Sequence, residues 1–374
     1  MPASPNSPAP LHVMLDARYL REKPSGIGSY VQALVERVPA LAPDDRFTLW
    51  AHRRAALPLS PAANATEIMV KNGPNSPWSA LWPQRDAAFD DVDVFHNPHN
   101  LLPRGIPCAS VVTLHDVMAL EYPRLHLRGL ERLSKSYYYP QAIWRALRKA
   151  TRLIAPSRAT ADRICAVHPG AASRLTVIPE AADAIFRPPN DRSATAQRSA
   201  ELIGSDAPFL LVIGANTPSK RHDLALAAFA VAVPAPWRLV FVQRRKARAR
   251  PAERAIWLTT MTREEVVILM QTAGALVQPS IYEGFGLPVL EAMACGCPVV
   301  ASDIAPFREV TAGHALLVPP NDAGKLAAAL REITQSPALR ESLGEEGAAR
   351  AQDFSWDRCA AETLAVYLSA SSRS

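Results

Sequence analysis

Short apolar runs alternate with longer helix-like segments along almost the whole sequence. The apolar runs include FTLWA, VDVFHN, SVVTLHD, RLIAPS, LTVIPE, FLLVIG, RLVFVQ, ALVQPS and PVVAS. Stretches such as SYVQALVERVPAL and HDLALAAFAVAV lie between them. Buried strands that alternate with helices are typical of parallel sheets covered on both faces. The pattern therefore predicts an α/β protein built from doubly wound, Rossmann-like sheets.

The length of 374 residues exceeds one ordinary core and suits two domains. A stretch rich in Pro, Ser and Asp precedes the strand FLLVIG, which predicts a linker over residues 186–206. We expect a disordered tail at 1–10, domains at 11–185 and 207–354, and a C-terminal helix at 355–371 that returns to the first domain. Open parallel sheets bind ligands at the carboxyl ends of their strands, so we expect the domains to face each other across a cleft.

The composition is that of a globular protein, with 48% apolar and 20% charged residues. No run approaches the roughly 20 apolar residues of a membrane-spanning helix, and the first residues lack the pattern of a signal peptide. The five cysteines are scattered without the paired spacing of metal ligands. We therefore expect a cytoplasmic protein without disulfides and without a bound metal.

The segment YEGFGLPVLEAMACGCPVV, residues 282–300, is the most informative motif of the chain. It follows a predicted strand, and Pro288 suits the first turn of a helix that Gly296 ends. Gly284 and Gly286 let the backbone approach a ligand closely. The unpaired amides of a helix N-terminus attract anions such as a diphosphate. The motif therefore indicates an anion site at the start of this helix.

Two glutamates flank the Gly-x-Gly loop. Glu291 lies about one turn inside the predicted helix, where a carboxylate can accept two hydrogen bonds from a ribose diol. Glu283 lies on the loop, where it can meet a sugar hydroxyl. Acidic residues also stabilise helix starts by up to about 1 kcal/mol without any ligand. Two of them around such a loop favour a ligand site over that structural role.

The stretch PSIYEGFGLPVLEAMACGCPVVASD resembles the nucleotide-sugar signature of glycosyltransferase family 4, which comprises retaining enzymes of the GT-B fold. The resemblance extends over nearly the whole chain, through DARYLREKPSGIGSYVQAL, FHNPHNLLP, VVTLHDVMALEYP, VIPEAAD and FSWDRCAAETLAVY. It implies that Glu291 binds the donor ribose and that Glu283 faces the transferred sugar. It also implies that amides around Phe285, Gly286 and Leu287 help to hold the sugar and the diphosphate.

Lys220 lies between a strand and a helix, where a cation can neutralise a leaving diphosphate. The family usually carries a second basic residue at this place, and Ser219 and Ala215 occupy the matching positions here. The departure indicates either weaker catalysis or a substitute cation. Arg221 and the basic residues 244–246 are the candidates for that substitute, and a solvated basic loop is an equal alternative for the latter.

His115 ends the strand SVVTLH. A lone histidine is more often structural than functional, but its position and the resemblance imply a contact with the donor sugar. The segment SGIGSY, residues 25–30, indicates a glycine turn that opens a helix in the first domain, and it is weak evidence for function alone because short glycine patterns are common. The resemblance makes it the loop that closes over the diphosphate and the acceptor, so Gly26 and Gly28 are donor-binding candidates.

The net charge of +6 is concentrated in residues 124–152. This segment contains Arg124, Arg128, Arg132, Lys135, Arg145, Arg148, Lys149 and Arg152, interleaved with Tyr137, Tyr138, Tyr139 and Trp144. Basic residues with interfacial aromatics favour an anionic membrane surface, and a merely solvated face is the alternative. Nucleic acid is disfavoured because no nucleic-acid-binding motif accompanies the segment. We expect a cytoplasmic protein bound peripherally to the inner face of the cell membrane.

The chain also resembles bacterial mannosyltransferases that build surface polysaccharide on a lipid carrier. The resemblance implies a retaining, metal-independent hexosyltransferase that moves mannose from GDP-mannose to a lipid-linked saccharide. Glu283, His115 and Lys220 are the expected catalytic residues, and no cofactor is expected beyond the donor substrate. A UDP-sugar is the second choice of donor. A catalytically silent sugar-nucleotide-binding protein, and a phosphorylase or epimerase on a related fold, remain alternatives.

Overall fold

A computed structural model describes most of the chain in two compact units. Unit 1 comprises Met1–Glu180 and Trp356–Ser374, and unit 2 comprises Ala181–Ser355. The described residues are 9–20, 26–74, 76–83, 88–123, 131–243 and 253–371, with the side chains of 131–137 excepted. Most of the predicted tail at 1–10 therefore lies outside the described residues, as do the basic residues 244–246.

Unit 1 contains a parallel sheet of seven strands in its described residues, in the order β3-β2-β1-β4-β5-β6-β7. The strands are β1 (His12–Leu15), β2 (Arg46–His52), β3 (Ala65–Val70), β4 (Val94–Asn97), β5 (Ala109–Thr113), β6 (Arg152–Ala155) and β7 (Leu175–Val177). In the register of the central strands, Val13 of β1 lies beside Phe47 of β2 and Val94 of β4. The strand order reverses between β1 and β4, which is where doubly wound sheets place their ligands.

Unit 2 contains a second parallel sheet, with six described strands in the order β10-β9-β8-β11-β12-β13. The strands are β8 (Phe209–Ile213), β9 (Arg238–Val242), β10 (Ala255–Leu258), β11 (Ala275–Gln278), β12 (Val299–Ser302) and β13 (Leu316–Val318). Here the order reverses between β8 and β11, and Leu210 lies beside Ala275. The loops after β8 and β11 are therefore neighbours at the carboxyl edge of this sheet.

The described α-helices are numbered along the chain. Unit 1 contains α1 (Gly26–Leu41), α2 (Pro77–Leu81), α3 (Met118–Glu121), α4 (Glu131–Lys149), α5 (Arg158–Val167) and, at the end of the chain, α13 (Trp356–Ala370). Unit 2 contains α6 (Arg192–Ile203), α7 (His222–Ala232), α8 (Arg263–Thr272), α9 (Leu287–Ala294), α10 (Ala305–Thr311), α11 (Ala323–Gln335) and α12 (Pro337–Ala351). Short 3-10 helices, Pro169–Arg174 and Pro218–Lys220, complete the described elements.

The last helix, α13, packs against α1 and β5 of unit 1. Its Tyr367 hydroxyl lies 2.6 Å from His96 Nδ1, and His96 Nε2 lies 2.9 Å from Thr113 Oγ1. All three side chains are buried, so both polar ends of the histidine ring are satisfied inside the unit. The prediction that the C-terminal helix returns to the first domain is confirmed.

The predicted linker over 186–206 is wrong in part. The units divide between Glu180 and Ala181, and Arg192–Ile203 within that stretch is the helix α6. The carboxylate of Asp191 caps this helix, accepting hydrogen bonds from the amides of Ser193 at 2.9 Å and Ala194 at 3.0 Å. Its polar composition reflects a helix that is exposed on most of its surface and packs against α8.

Candidate functional site

The segment 282–300 joins the carboxyl end of β11 to the helix α9. Gly286 has a φ of +110° directly before α9, and an added Cβ would lie 2.8 Å from the ring of Phe307. Glycine is therefore required by both backbone conformation and space. Pro288 lies in the first turn of α9, as predicted. Gly296 follows the helix end with a φ of +73°, which confirms its predicted position.

Phe285 and Leu287 are buried, unlike the half-buried Gly284. The Phe285 ring packs edge-on against Phe354, with 5.8 Å between ring centroids. The two apolar side chains thus anchor the loop from inside, and any contact with a ligand comes from the backbone.

No side chain caps the start of α9. Pro288 has no amide hydrogen, and the Val289 amide donates to the Gly286 carbonyl at 2.9 Å. The Leu287 amide is therefore the first-turn donor left for an anion.

Lys220 and Glu283 meet although 62 residues separate them in the chain. Lys220 ends the 3-10 helix after β8, and its Nζ lies 2.5 Å from Glu283 Oε1. The amide of Ile281 donates to the carbonyl of Ser219 at 2.8 Å, which joins the two loops by their backbones. The two side chains are only 21% and 13% exposed. A charge-assisted hydrogen bond of this kind is stronger than a neutral one.

Gln278 supports the same carboxylate from the end of β11. Its Nε2 lies 3.3 Å from Glu283 Oε1 and 3.1 Å from Ser280 Oγ, and the side chain is fully buried. The other oxygen, Glu283 Oε2, makes no hydrogen bond to the described residues. Gln278 was not among the predicted site residues. A polar residue at the end of an otherwise apolar strand was the signal that could have identified it.

Glu291 is the fifth residue of α9 and is half-buried. It lies one turn beyond the loop, on the helix whose N-terminus carries the Leu287 amide. Lys220, Glu283 and Glu291 are therefore all placed around the carboxyl edge of the unit 2 sheet, as the sequence predicts. The position suits the ribose-binding role that the resemblance implies for Glu291.

Arg221 does not join this group. Its guanidinium donates to Asp223 Oδ1 at 3.2 Å and to the side-chain oxygen of Asn321. The residue adopts a positive φ of 48°, a left-handed conformation that is uncommon for side chains other than glycine. Arg221 is thus tied to the loop before α11, and the other proposed substitutes, 244–246, lie outside the described residues.

In unit 1, His115 is held between two acceptors. Its Nδ1 lies 2.9 Å from Glu180 Oε1 and its Nε2 lies 2.8 Å from the carbonyl of Pro98. Only the doubly protonated ring can donate to both. Burial acts to lower the pKa of His115, but the hydrogen bond to Glu180 and the charge of Glu180 outweigh it and raise the pKa above its usual value.

Glu180 is the third residue after the end of β7 and was missed as a site residue. Its side chain is 6% exposed and that of His115 is 13% exposed, so the ion pair is nearly enclosed within unit 1. An acidic residue just past a strand end, in VIPEAAD, was the available signal. The pairing with Glu180 favours the protonated, cationic form of His115.

The structure differs from the predicted loop at residues 25–30. Gly26 and Gly28 belong to the first turn of α1, with Gly26 exposed and Gly28 buried, and residues 21–25 lie outside the described residues. The Tyr30 hydroxyl in the next turn lies 2.9 Å from Thr113 Oγ1. Its ring stands edge-on to His115 at 5.1 Å. The start of α1 is therefore near His115 in unit 1.

The predicted aromatic surface of residues 124–152 is wrong for its described part. Tyr139 is 8% exposed and belongs to the core of unit 1, and Tyr138 and Trp144 pack partly buried against that core. Amphipathic periodicity brings these rings inward because α4 covers the sheet with one face. Residues 124–130 lie outside the described residues, as do the side chains of Arg132, Lys135 and Tyr137. Arg148 and Lys149 are exposed.

The described residues contain no group of three or more His, Cys, Asp and Glu side chains placed to hold a metal ion. Among them, no helix combines the length and the hydrophobicity that crossing a bilayer requires.

Comparison with known proteins covers both units. Residues 24–184 match the model of the family described as Glycosyltransferase Family 4, and residues 193–350 match the model described as Glycosyl transferases group 1. The chain is 27% identical over 307 residues to O-antigen chain mannosyltransferase B of Escherichia coli. That alignment covers 78% of this chain and 77% of the relative.

Solved structures share the fold over nearly the full length. Sucrose-phosphate synthase from Thermosynechococcus elongatus superposes with a TM-score of 0.74 at 22% identity, covering 96% of this chain and 98% of the other. HepE from Anabaena, in complex with UDP-glucose, superposes with a TM-score of 0.70 at 17% identity, covering 96% and 99%. Together with the two parallel sheets, these similarities confirm the predicted GT-B fold with two Rossmann-like domains.

Proposed function

This chain belongs to the glycosyltransferases of family 4 and is a transferase, and on that premise we propose that it moves a hexose from a nucleotide-diphosphate sugar to a lipid-linked saccharide. The observation that carries the proposal is the Lys220–Glu283 pair beside the uncapped start of α9. The pair and the start of α9 belong to one loop system, which combines a cation, a carboxylate and the Leu287 amide. A sugar diphosphate needs the same three kinds of group.

Lys220 and the Leu287 amide at the start of α9 are the proposed site of the diphosphate. The ammonium of Lys220 neutralises Glu283 in the structure. An incoming diphosphate carries more charge than a carboxylate, so Lys220 turns toward it and strengthens its contact as the phosphate leaves. Gln278 continues to hold Glu283 Oε1. Glu283 Oε2 then accepts a hydrogen bond from a hydroxyl group of the transferred sugar.

The proposed reaction exchanges one glycosidic oxygen for another. The acceptor hydroxyl forms the new bond to the anomeric carbon while the bond to the diphosphate breaks. The leaving phosphate oxygen takes the acceptor proton on the same face of the sugar, which retains the anomeric configuration. Glu283 is a positioning residue in this scheme and not a nucleophile. Lys220 and the Leu287 amide supply the positive potential, so the proposal requires no metal.

Mannose is the proposed sugar and GDP the proposed nucleotide. The similarity to an O-antigen chain mannosyltransferase supports mannose. Glu291 would bind the ribose diol, a feature common to GDP and UDP. A UDP-sugar remains the second choice, supported by the HepE complex with UDP-glucose. Gly284 and the amides of residues 285–287 would bind the sugar and phosphates through the backbone.

The acceptor is proposed to be a lipid-linked saccharide of bacterial surface polysaccharide, bound by unit 1 with His115, Gly26 and Gly28 in contact with substrate. The name of the Escherichia coli relative supports this pathway. We also propose that the protein works in the cytoplasm, peripherally on the inner face of the cell membrane, through exposed cations of residues 124–152. Arg148 and Lys149 are two such cations in the described part.

The first test is thermal unfolding with GDP, UDP and ADP, each alone. At about a hundred times its dissociation constant, a nucleotide stabilises the folded state by roughly 2.7 kcal/mol. We expect GDP to raise the Tm of the wild type and to lose that effect in Glu291→Ala. Glu341→Ala, which removes an exposed carboxylate of α12, is the matched control. An equal Tm shift in wild type and Glu291→Ala would contradict the ribose assignment.

A catalytically silent sugar-nucleotide-binding protein is the second candidate. It is favoured by one observation, the commitment of Lys220 to Glu283 with Arg221 turned away to Asp223. Donor binding and turnover separate the two functions. Transfer of labelled mannose to a lipid-linked acceptor supports the transferase. Tight donor binding without transfer to any lipid-linked saccharide supports the silent protein.

A further inference from the structure

A cationic pocket of about 340 Å³ lies on unit 1, between α4 and the connection from β4 to β5. Its lining residues are Arg104, Gln141, Trp144, Arg145, Arg148 and Lys149. The last five recur at helical spacing on one flank of α4, while Arg104 comes from the connection. Four positive charges from two separate elements therefore lie around one concave surface.

The pocket is distinct from the candidate site of unit 1. His115 follows the carboxyl end of β5, whereas Lys149 ends α4 just before β6 begins at Arg152. All strands of this sheet are parallel, so the last turn of α4 lies toward the amino edge. The catalytic candidates occupy the opposite edge. None of the residues assigned above to substrate contact lines the pocket.

The four cations have no acidic partner among the described residues. Arg145 donates to the carbonyl of Leu102 at 2.6 Å. Arg148 lies over the ring of Trp144, 5.1 Å from its centroid. Neither these two nor Arg104 and Lys149 forms a described ion pair with a carboxylate. Burial and then the charge of Arg104 lower the pKa of Arg145, so Arg104 and Arg145 repel each other.

The negative end of the α4 dipole does not explain the cluster. Basic residues often lie in the last turn of a helix because they compensate its free carbonyls. Here Arg174 already does so, donating to the carbonyl of Leu147 at 2.6 Å and to that of Ala150. Arg148 and Lys149 are therefore not needed as caps. Arg104 lies outside the helix and has no such role.

We propose that this pocket binds a phosphate group. Guanidinium groups match phosphate oxygens with paired hydrogen bonds, and Arg104 and Arg148 are free to supply them. Lys149 adds a mobile ammonium, and the Gln141 amide adds a neutral donor. The half-buried ring of Trp144 packs against the guanidinium of Arg148 and restricts its position. The phosphate comes from either the headgroup of an anionic lipid or a phosphorylated molecule in solution. Arg148 and Lys149 are also two of the cations proposed above for membrane association, so a lipid headgroup in this pocket would extend that proposal. The pocket does not depend on the transferase activity.

The test compares two variants that lose the same charges. Arg104→Gln/Arg148→Gln/Lys149→Gln empties the pocket of three cations and leaves Arg145 and the Trp144 packing intact. Arg53→Gln/Arg54→Gln/Lys71→Gln removes two arginines and a lysine that are exposed elsewhere on unit 1 and form no described ion pair. Binding of inorganic pyrophosphate is measured by calorimetry at saturating concentrations of the nucleotide that raises the Tm, because the proposed diphosphate site of unit 2 would otherwise bind the same probe. Cosedimentation is measured with vesicles of phosphatidylglycerol in phosphatidylcholine and of phosphatidylcholine alone, at constant salt. The nucleotide-induced Tm shift is recorded for each variant as a folding and donor-site check.

The pocket variant is expected to bind its anion at least roughly tenfold more weakly than the control variant, because each basic residue near a membrane surface contributes about a fivefold factor and three are removed. Loss confined to phosphatidylglycerol vesicles identifies a lipid headgroup, and loss of pyrophosphate binding identifies a soluble phosphate. Equal binding by the two variants, or no binding of either probe by the wild type, overturns the proposal. Loss of the nucleotide shift alone would instead count against the donor site in unit 2.

Discussion

Lys220 Nζ and Glu283 Oε1 lie 2.5 Å apart at the carboxyl edge of the second sheet, from loops that follow β8 and β11. These strands are neighbours at the point where the strand order reverses. The ion pair is therefore a direct consequence of doubly wound topology. The pair lies at the centre of the candidate site in unit 2.

Breaking this pair should change both stability and turnover. Removal of either partner leaves the other charge partly buried and unpaired, so Lys220→Met and Glu283→Gln each lower the free energy of unfolding. The double variant should lose less than the sum, with a coupling energy of about 1 kcal/mol measured by denaturant unfolding. Strictly additive losses would show that the pair contributes nothing. In transfer assays, we expect Glu283→Gln to lower kcat by roughly a hundredfold with little change in donor affinity.

Gln278 should matter for turnover through Glu283. Gln278→Leu removes the hydrogen bond to Oε1 in a volume of similar size, so the carboxylate gains a second orientation. We expect kcat to fall roughly tenfold while the nucleotide Kd stays constant, because the phosphate and ribose contacts are untouched. Gln335→Leu, at the exposed C-terminal end of α11, is the control. A Kd that rises in parallel with the loss in kcat would instead indicate collapse of the loop.

The His115–Glu180 pair predicts a pH-dependent contribution to stability. The pKa of His115 is raised in the folded protein, so the stabilisation is fully present below the unfolded value of about 6.5 and is lost as pH rises through the folded pKa. Glu180→Gln removes the carboxylate charge. The difference in unfolding free energy between wild type and Glu180→Gln should therefore shrink as the pH rises above neutrality. A difference that grows with pH would mean that His115 is neutral.

His222 should show the opposite pH dependence in unit 2. Neither ring nitrogen has a hydrogen-bond partner among the described residues, and burial, then the charge of Lys220, lowers the pKa of His222 to about 4. The neutral ring is required, so stability is lost as pH falls from about 6.5 towards 4, by up to roughly 3 kcal/mol.

His222→Phe provides the matched comparison, because the ring packs beside Phe241 at 5.5 Å and its nitrogens make no described bond. The variant should be as stable as the wild type at pH 7, since an unsatisfied buried polar group is removed. It should become more stable than the wild type at pH 5, measured by denaturant unfolding. An equal loss of stability in both proteins on acidification would mean that other groups carry the effect.

The central strands of both sheets were predictable because each is buried on both faces and reads as a continuous apolar run. The edge strands β3, β10 and β13 were not among the predicted strands. Each pairs on one side only and is partly exposed, with burial that alternates or stays intermediate. In β3, polar residues such as Thr66 and Glu67 weaken the apolar signal, whereas β10 and β13 are apolar but only four and three residues long.

The sequence by itself determined the α/β class, the two-domain organisation, and the loop and helix of residues 282–296, because apolar periodicity and glycine and proline positions are local properties. Only the tertiary structure decided which charges meet. The partners Lys220 and Glu283, and His115 and Glu180, are more than 60 residues apart in the chain, and strand order alone brings them together. The same holds for Tyr139, whose burial follows from which face of α4 covers the sheet. Local patterns cannot encode these pairings because they arise from packing between distant segments.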